Sequence, residues 1–128
     1  MGERENREAV ERYWRGLEEE DFDAAEQELH EDLVESYPQS GERVRGVANW
    51  RSLVTNYPGF PAIEVRRIVG RDDLWITEAT FDYSRDGSAP YQVCQVQECV
   101  DGKIAMISAF FGAPFEAAEW RAGFVERD

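Results

Sequence analysis

Several polar side chains occur in predicted strands at a spacing that could bring them to one interior surface. Glu35 and Tyr37 are two residues apart and therefore share one face of a strand. Gln95 and Gln97 have the same spacing in a later strand. A carboxyl group and a phenol can pass a proton, and a buried amide must be satisfied by a neighbour, water or a ligand. If that strand face points outward, however, the two glutamines are ordinary surface residues.

The sequence contains one histidine, His30, which follows the second predicted helix. Histidine side chains in general titrate near neutral pH, which suits proton transfer, but this one could equally interact with the carboxyl end of that helix. A single histidine disfavours a transition-metal site. The sequence also lacks a phosphate-binding loop, a nucleophile elbow and a dinucleotide fingerprint. We therefore predict neither a metal ion nor a cofactor.

The second half of the chain is predicted to form a sheet, because β-branched and aromatic residues are dense there. Four strands are predicted at residues 63–69, 74–83, 91–100 and 103–111. Gly and Asp residues at 85–88 and 101–102 tolerate the positive φ of tight turns, so the strands form an antiparallel meander. Side chains alternate between the two faces of a strand, and one of the two possible assignments gives the sheet an apolar outer face. The residues of that face are Cys94, Val96, Ile104 and Met106. An exposed apolar face of this kind favours a homodimer.

Helices are predicted mainly before this sheet. The first helix spans residues 3–19, and its apolar stripe consists of Val10, Tyr13, Trp14 and Leu17. Asp21 suits the N-cap of a short second helix, and Pro114 suits the first turn of a C-terminal helix. Between these lie a strand at 33–37, a polar loop at 39–43 and a third helix at 47–57. Helices on one side of an antiparallel sheet make an α+β fold, with a curved sheet around the N-terminal helices.

Length and charge exclude several classes of function. A chain of 128 residues is expected to form one domain. Its net charge of −13, from 27 acidic and 14 basic residues, repels phosphate backbones and disfavours nucleic-acid binding. No apolar run approaches the roughly 20 residues that a membrane span needs, so we expect no membrane partner. The charged N-terminus has no apolar signal core, which favours the cytoplasm.

The two cysteines, Cys94 and Cys99, are five residues apart on one predicted strand. Positions separated by an odd number point to opposite faces of a sheet. A disulfide between them is therefore not expected, and we predict two free thiols in a reducing compartment.

The order of elements and several short motifs resemble the nuclear-transport-factor-2-like (NTF2-like) superfamily and, within it, SnoaL-like proteins. The resemblance spans about residues 6–112 and leaves 113–128 as a C-terminal tail. The motifs that carry it are Val10-Glu11-Arg12-Tyr13-Trp14, Glu20-Asp21-Phe22-Asp23, Leu29-His30-Glu31-Asp32, Tyr37-Pro38-Gln39-Ser40-Gly41, Asp101-Gly102-Lys103-Ile104 and Phe110-Phe111-Gly112. It implies one cone-shaped domain (a cystatin-like α+β barrel), in which a curved, antiparallel or mixed sheet wraps helices around a deep apolar pocket. The superfamily includes isomerases, dehydratases, epoxide hydrolases, polyketide cyclases and non-catalytic binding proteins, so the fold does not specify a reaction.

Comparison with ketosteroid isomerases of this superfamily implies roles for individual residues. Tyr13 matches their oxyanion-binding tyrosine, and Gln95 lies near the position of their protonated aspartate. Their catalytic base matches Tyr37, which is not a carboxylate, so a shifted base such as Glu35 or Asp82 is needed. The resemblance also makes His30 a general base at the pocket mouth. The paired carboxylates and arginine of limonene epoxide hydrolases have no complete counterpart.

Three functions remain open from the sequence. The first is an isomerase, cyclase or dehydratase acting on a small apolar carbonyl compound, with Tyr13 and Gln95 at an oxygen and Tyr37, Glu35 or His30 moving a proton. The second is a non-catalytic domain that binds a small apolar or aromatic molecule, and the third is an interaction module. A pocket carboxylate with a raised pKa would favour the first. The predicted ligand-binding residues are Trp14, Trp50, Tyr57, Phe60, Phe81, Gln97 and Phe111.

Overall fold

The computed structural model describes residues 2–128, which contain three α-helices, six β-strands and one 3-10 turn. In chain order these are α1 (Glu3–Glu18), α2 (Phe22–Glu26), β1 (Leu29–Tyr37), β2 (Glu42–Arg45), α3 (Val47–Thr55), β3 (Ala62–Arg71), β4 (Leu74–Asp82), β5 (Tyr91–Val100), β6 (Lys103–Gly112) and the turn Glu119–Arg121. None of the helices in this part of the chain is both long and apolar enough to cross a membrane.

The six strands form one open, mixed sheet in the order β2-β1-β6-β5-β4-β3. Strands β3 to β6 make the predicted antiparallel meander, whereas β1 pairs with β6 in parallel. The sheet has helices on one face, as the predicted α+β cone requires. Parallel pairing needs a long connection, and here residues 38–102, about half of the chain, separate the two paired strands.

Helix α1 provides much of the core. Its predicted apolar stripe, which includes Tyr13 and Trp14, is buried against the inner face of the sheet. At the start of the helix, the Asn6 side chain donates to the Asp72 carbonyl oxygen at 2.9 Å. Near its end, Glu18 accepts the Val65 backbone N–H at 3.1 Å on the sheet-edge strand β3. These two contacts hold the helix across the sheet and set the direction in which Tyr13 points.

Local patterns misplaced several element boundaries. Strand β1 starts at Leu29 rather than Leu33, and β2 forms where a polar loop was predicted. Residues 29–32 are mostly polar and show no alternation. Their strand conformation follows from pairing across a register shift with β6, more than 70 residues away. The predicted C-terminal helix is also wrong, because the only helical turn after β6 is the three-residue 3-10 turn.

The outer face of the sheet is partly apolar, with one correction to its predicted members. Met106 is 48% exposed, and Cys94 and Val96 are partly exposed, whereas Ile104 is fully buried. The register shifts between Glu98 and Cys99, so one extra residue of β6 reverses the alternation before Met106. Cys94 and Cys99 are free and lie on opposite faces, as predicted.

Candidate functional site

A small hollow lies between the inner sheet face and helices α1 and α3. Its volume is about 40 Å³, and its polar lining consists of Tyr13, Glu35, Tyr37 and Gln95. Four of the five residues predicted to be catalytic therefore meet in one place, together with Trp50 from α3. Three separate parts of the chain supply them: α1, β1 with α3, and β5.

Backbone register explains why these side chains converge. Glu35 pairs with the buried Ile107 of β6, which places its carboxyl group on the inner face. Gln95 pairs with Thr77 on one side and Ala109 on the other. Both neighbours are small and fully buried, so neither fills the space in front of the amide. The hollow is thus a consequence of small side chains beside Gln95.

Glu35 is 5% exposed. Removal from water disfavours the charged form, and this burial raises the pKa of Glu35 from 4.5 to about 7, although hydrogen bonding by Tyr37 partly opposes the rise. At neutral pH the group can therefore either accept or release a proton at little cost. A carboxyl group with this pKa has the property that general acid–base catalysis requires.

Two phenols face the same hollow. Burial, followed by the nearby charge of Glu35, raises the pKa of Tyr13 well above its usual value, while a hydrogen bond from Trp50 opposes the change. Burial and Glu35 also raise the pKa of Tyr37. Both hydroxyl groups stay protonated at neutral pH. Tyr37 hydrogen-bonds to Glu35, whereas Tyr13 can donate a hydrogen bond to an oxygen in the hollow.

The two predicted amides have different fates. Gln95 is 4% exposed, and its Oε1 atom has no hydrogen-bond partner among the described residues. Gln97 instead lies in the core. When its amide is oriented so that both ends find partners, its nitrogen donates to the Trp75 carbonyl oxygen at 3.0 Å and its oxygen accepts from the Trp14 indole at 3.0 Å. Gln97 therefore stabilises the fold, and Gln95 leaves an acceptor available to a ligand or water.

This difference predicts opposite responses to a matched substitution. Gln97→Leu would leave the buried Trp14 indole N–H without an acceptor, so we expect it to lower the free energy of unfolding by about 1–3 kcal/mol. Gln95→Leu removes an acceptor that already lacks a partner, and its effect should be smaller or stabilising. Urea unfolding of both variants measures the difference. Equal losses would contradict the assigned roles.

An aromatic cleft of about 520 Å³ adjoins the hollow. Four side chains line both spaces, namely Tyr37, Leu53, Tyr57 and Phe111. At the cleft, the Tyr57 and Tyr83 hydroxyl groups are 2.7 Å apart, and Tyr91 packs edge-on against Tyr83 at a centroid distance of 4.9 Å. The hollow has room for water or one polar end of a molecule, whereas the cleft can hold the rest of a small ligand.

A second large cleft, between α1 and α2, has a different character. Its volume is about 550 Å³, and charged residues dominate its lining. Arg12 and Glu28 on its wall bind each other at 3.0 Å. Charged groups that satisfy one another at the surface make this cleft a poor match for an apolar ligand.

Comparison with known proteins identifies the family. The sequence profile of the SnoaL-like domain matches residues 10–107. The chain belongs to the SnoaL-like domain family. No curated protein sequence matches this SnoaL-like domain significantly.

Solved structures share its fold. An NTF2-like protein of unknown function from Burkholderia xenovorans LB400 is 37% identical, with a TM-score of 0.83 over 98% of this chain and 96% of that one. A candidate ketosteroid isomerase from Kribbella flavida DSM 17836 is 22% identical, with a TM-score of 0.88 over 98% and 91% of the two chains. An LEH-like epoxide hydrolase from M. tuberculosis is 28% identical, with a TM-score of 0.67 over 85% and 84%.

The structure does not bring every predicted residue of this SnoaL-like domain to the hollow. Of the residues predicted to bind a ligand, five line the hollow, namely Trp50, Tyr57, Phe60, Phe81 and Phe111, whereas Trp14 and Gln97 do not. His30 is also outside the lining; it lies on β1 rather than at a helix end, and its Nδ1 accepts the Asp32 N–H at 3.0 Å.

Asp82, the other carboxylate considered as a base, organises a loop instead. It accepts hydrogen bonds from Ser84 and from the Gly87 N–H, and the contacts with Ser84 lower its pKa, as do backbone N–H groups. Tyr83 and Tyr91 also line the cleft and were not predicted as site residues. An aromatic pair on either side of the predicted turn at 85–88 was the signal that could have identified them.

Proposed function

We propose that this SnoaL-like domain is a cofactor-independent enzyme that moves a proton on a small apolar carbonyl compound, as an isomerase, cyclase or lyase. The observation that supports this most strongly is the Glu35 carboxyl group, buried in a hollow with a pKa of about 7. Such a group combines desolvation with proximity to two phenols, and perturbed carboxyls of this kind concentrate at active sites. A pure binding domain for a neutral molecule has no need of it.

The proposed reaction begins with the carboxylate form of Glu35, which takes a proton from a carbon atom next to the carbonyl group. The electron pair of the broken C–H bond forms a C=C bond, and the carbonyl oxygen becomes an enolate oxygen. Tyr13 then donates a hydrogen bond to that oxygen. The protonated Glu35 returns its proton to the same or another carbon, so atoms and charge balance without a cofactor.

Gln95 and Tyr37 would orient the substrate. The free Oε1 of Gln95 would accept a hydrogen bond from a hydroxyl or N–H group of the ligand. Tyr37 contacts both the hollow and the cleft, so it would fix the angle at which a ligand passes between them. The flat walls of Tyr57 and Phe111 favour an aromatic or apolar body in the cleft.

The charge of the protein further limits which molecules can be substrates. The chain carries a net charge of −13, and Glu42 lies at the cleft, so an anionic ligand or a nucleic acid would be repelled. A neutral, small apolar or aromatic molecule fits the site best. We also propose that the protein works in the cytoplasm, where its two free thiols stay reduced, and that it pairs as a homodimer through the outer sheet face.

Proton exchange provides a test that does not require the natural substrate. In D₂O, the protein is expected to accelerate deuterium uptake at the α-carbon of some members of a panel of cyclic enones and 1,3-diketones, followed by proton NMR. The rate should rise with pH and level off above about 7, when Glu35 is ionised. Ligands that bind without any exchange would instead support the non-catalytic binding domain. Native mass spectrometry of protein from its own host would reveal a retained molecule.

A further inference from the structure

Every tyrosine of the chain lies at one site. The sequence has five tyrosines, and all of them line the hollow or the adjoining aromatic cleft, namely Tyr13, Tyr37, Tyr57, Tyr83 and Tyr91. Most of the seven phenylalanines line neither space. A tyrosine supplies the same apolar ring as a phenylalanine and adds a hydroxyl group. The concentration of tyrosine at this site therefore indicates that hydroxyl groups, and not only rings, take part in binding.

Two of these hydroxyl groups form a pair at the cleft. Tyr57 follows helix α3 and Tyr83 follows strand β4, and their rings stack at an interplanar angle of 12° and a centroid distance of 6.2 Å. Their hydroxyl oxygens are within hydrogen-bond distance, at 2.7 Å. Phe60 packs edge-on against Tyr57 at a centroid distance of 5.3 Å, as Tyr91 does against Tyr83. The pair is therefore held in place before a ligand binds.

The pair has one more hydrogen atom than the protein uses. Each phenol can donate one hydrogen atom, and one of the two is shared between the hydroxyl groups. Neither hydroxyl group makes a further hydrogen bond within residues 2–128. The second hydrogen atom is therefore available at the cleft. The hydroxyl group that carries it already accepts a hydrogen bond, which makes it a stronger donor.

We propose that the substrate is a ketone with a second, uncharged acceptor oxygen at its far end, and that the Tyr57–Tyr83 pair donates a hydrogen bond to this oxygen. The inference rests on the proposed function, because the carbonyl end of the ligand is taken to lie in the hollow beside Glu35. The middle of the ligand then lies against Tyr37 and Phe111, which line both spaces. Their rings favour a flat, apolar middle.

The surroundings of the pair determine which kind of oxygen it can bind. Burial, followed by the hydrogen bond with Tyr57, raises the pKa of Tyr83, so its hydroxyl group stays protonated at neutral pH. Glu42 also lines the cleft, and its charge repels a carboxylate or phosphate. An ammonium group has no lone pair to accept the hydrogen atom. An ether, a neutral hydroxyl group or a second carbonyl group meets these conditions.

A set of related ketones tests this recognition. The probes are 2-tetralone and its derivatives with a methoxy group at each position of the benzene ring, because a methoxy oxygen accepts a hydrogen bond but cannot donate one. An ethyl group at the same position controls for size. Calorimetry should show that at least one methoxy ketone binds about 3- to 10-fold more tightly than its ethyl counterpart, the usual net effect of one hydrogen bond.

The double variant Tyr57→Phe/Tyr83→Phe keeps both rings and removes both hydroxyl groups. It should bind the methoxy and ethyl ketones equally, while its affinity for 2-tetralone stays within about twofold of that of the original chain. If the pair only joined α3 to β4, the variant would instead change the binding of every ketone by the same factor. The single variants identify the hydroxyl group that faces the ligand, because its removal weakens the methoxy preference more.

The results separate this inference from the proposed reaction. No methoxy ketone binding more tightly than its ethyl counterpart would overturn the inference, even if the protein catalyses deuterium exchange. A methoxy preference that survives in Tyr57→Phe/Tyr83→Phe would overturn it as well. A preference that disappears in the double variant would support it, and the absence of exchange in the same ketones would then count against the proposed reaction alone.

Discussion

Glu35→Gln is expected to reduce catalysed deuterium exchange by about 100- to 10,000-fold, the usual contribution of a positioned general acid or base. Glutamine has nearly the same size and shape as glutamic acid, so the hollow should keep its volume. Its amide cannot take a proton from carbon at neutral pH. Comparison of exchange rates by proton NMR measures the loss directly.

Binding should respond differently from exchange. Because Tyr13, Tyr37 and Gln95 remain in place, we expect the dissociation constant of a bound ketone, measured by calorimetry, to change only a few-fold. A large loss of binding would mean that Glu35 mainly holds the ligand. Wild-type exchange in Glu35→Gln would remove Glu35 from the mechanism altogether.

Glu31→Gln is the matched control. Glu31 lies on the same strand, β1, but its side chain is exposed and does not line the hollow. The change removes one negative charge at a similar place in the sequence. An exchange rate within about twofold of the original chain would show that loss of net charge alone does not explain the effect of Glu35→Gln.

The same Glu35→Gln change is expected to make the protein more stable at alkaline pH. The folded pKa of about 7 exceeds the reference value of 4.5, so the folded state binds more protons than the unfolded state between these values. Stability contributed by the protonated carboxyl is complete below about pH 4.5 and is lost as pH rises through 7. A shift of this size corresponds to roughly 3 kcal/mol.

Urea unfolding at pH 5 and pH 8 measures this loss. The original chain should be less stable at pH 8, whereas Glu35→Gln should show a much smaller difference. Asp82 and Asp86 have lowered pKa values, so their contributions change at more acidic pH and do not interfere. Parallel pH dependences of the two proteins would show that burial does not raise the pKa of Glu35. In that case the ionised carboxyl group of Glu35 would not lower the free energy of unfolding.

A site residue could be predicted from the sequence when nearby residues determine the position of its side chain. It could not be predicted when distant parts of the chain determine that position. The apolar stripe of α1 predicted that Tyr13 faces inward, because helical periodicity is a local property. Alternation also predicted that Glu35 and Tyr37 share a face. It could not predict the different fates of Gln95 and Gln97, which have the same parity on one strand. Their separation depends on Ala109, Trp14 and Trp75, which other elements bring to them.

The boundaries of the strands also depended on either local or long-range features of the chain. The four-stranded meander was predictable because turns and β-rich runs alternate along the sequence. The early start of β1 and the formation of β2 were not, since both depend on pairing, and β1 pairs with a strand near the other end of the chain. Ile104 was misplaced because a single extra residue in β6 reverses the alternation after it.

The sequence by itself determined an acidic α+β domain of the SnoaL-like family, with a phenol, a carboxyl group and an amide as candidate site residues, because composition, periodicity and short motifs are local. Only the tertiary structure decided that Glu35 is the carboxyl group in the hollow, that His30 and Gln97 lie away from the hollow, and that the aromatic C-terminal segment is left uncovered. Burial and hydrogen-bond satisfaction depend on neighbours that are distant in the chain. No local pattern can therefore specify which polar group is left in an apolar hollow with an altered pKa.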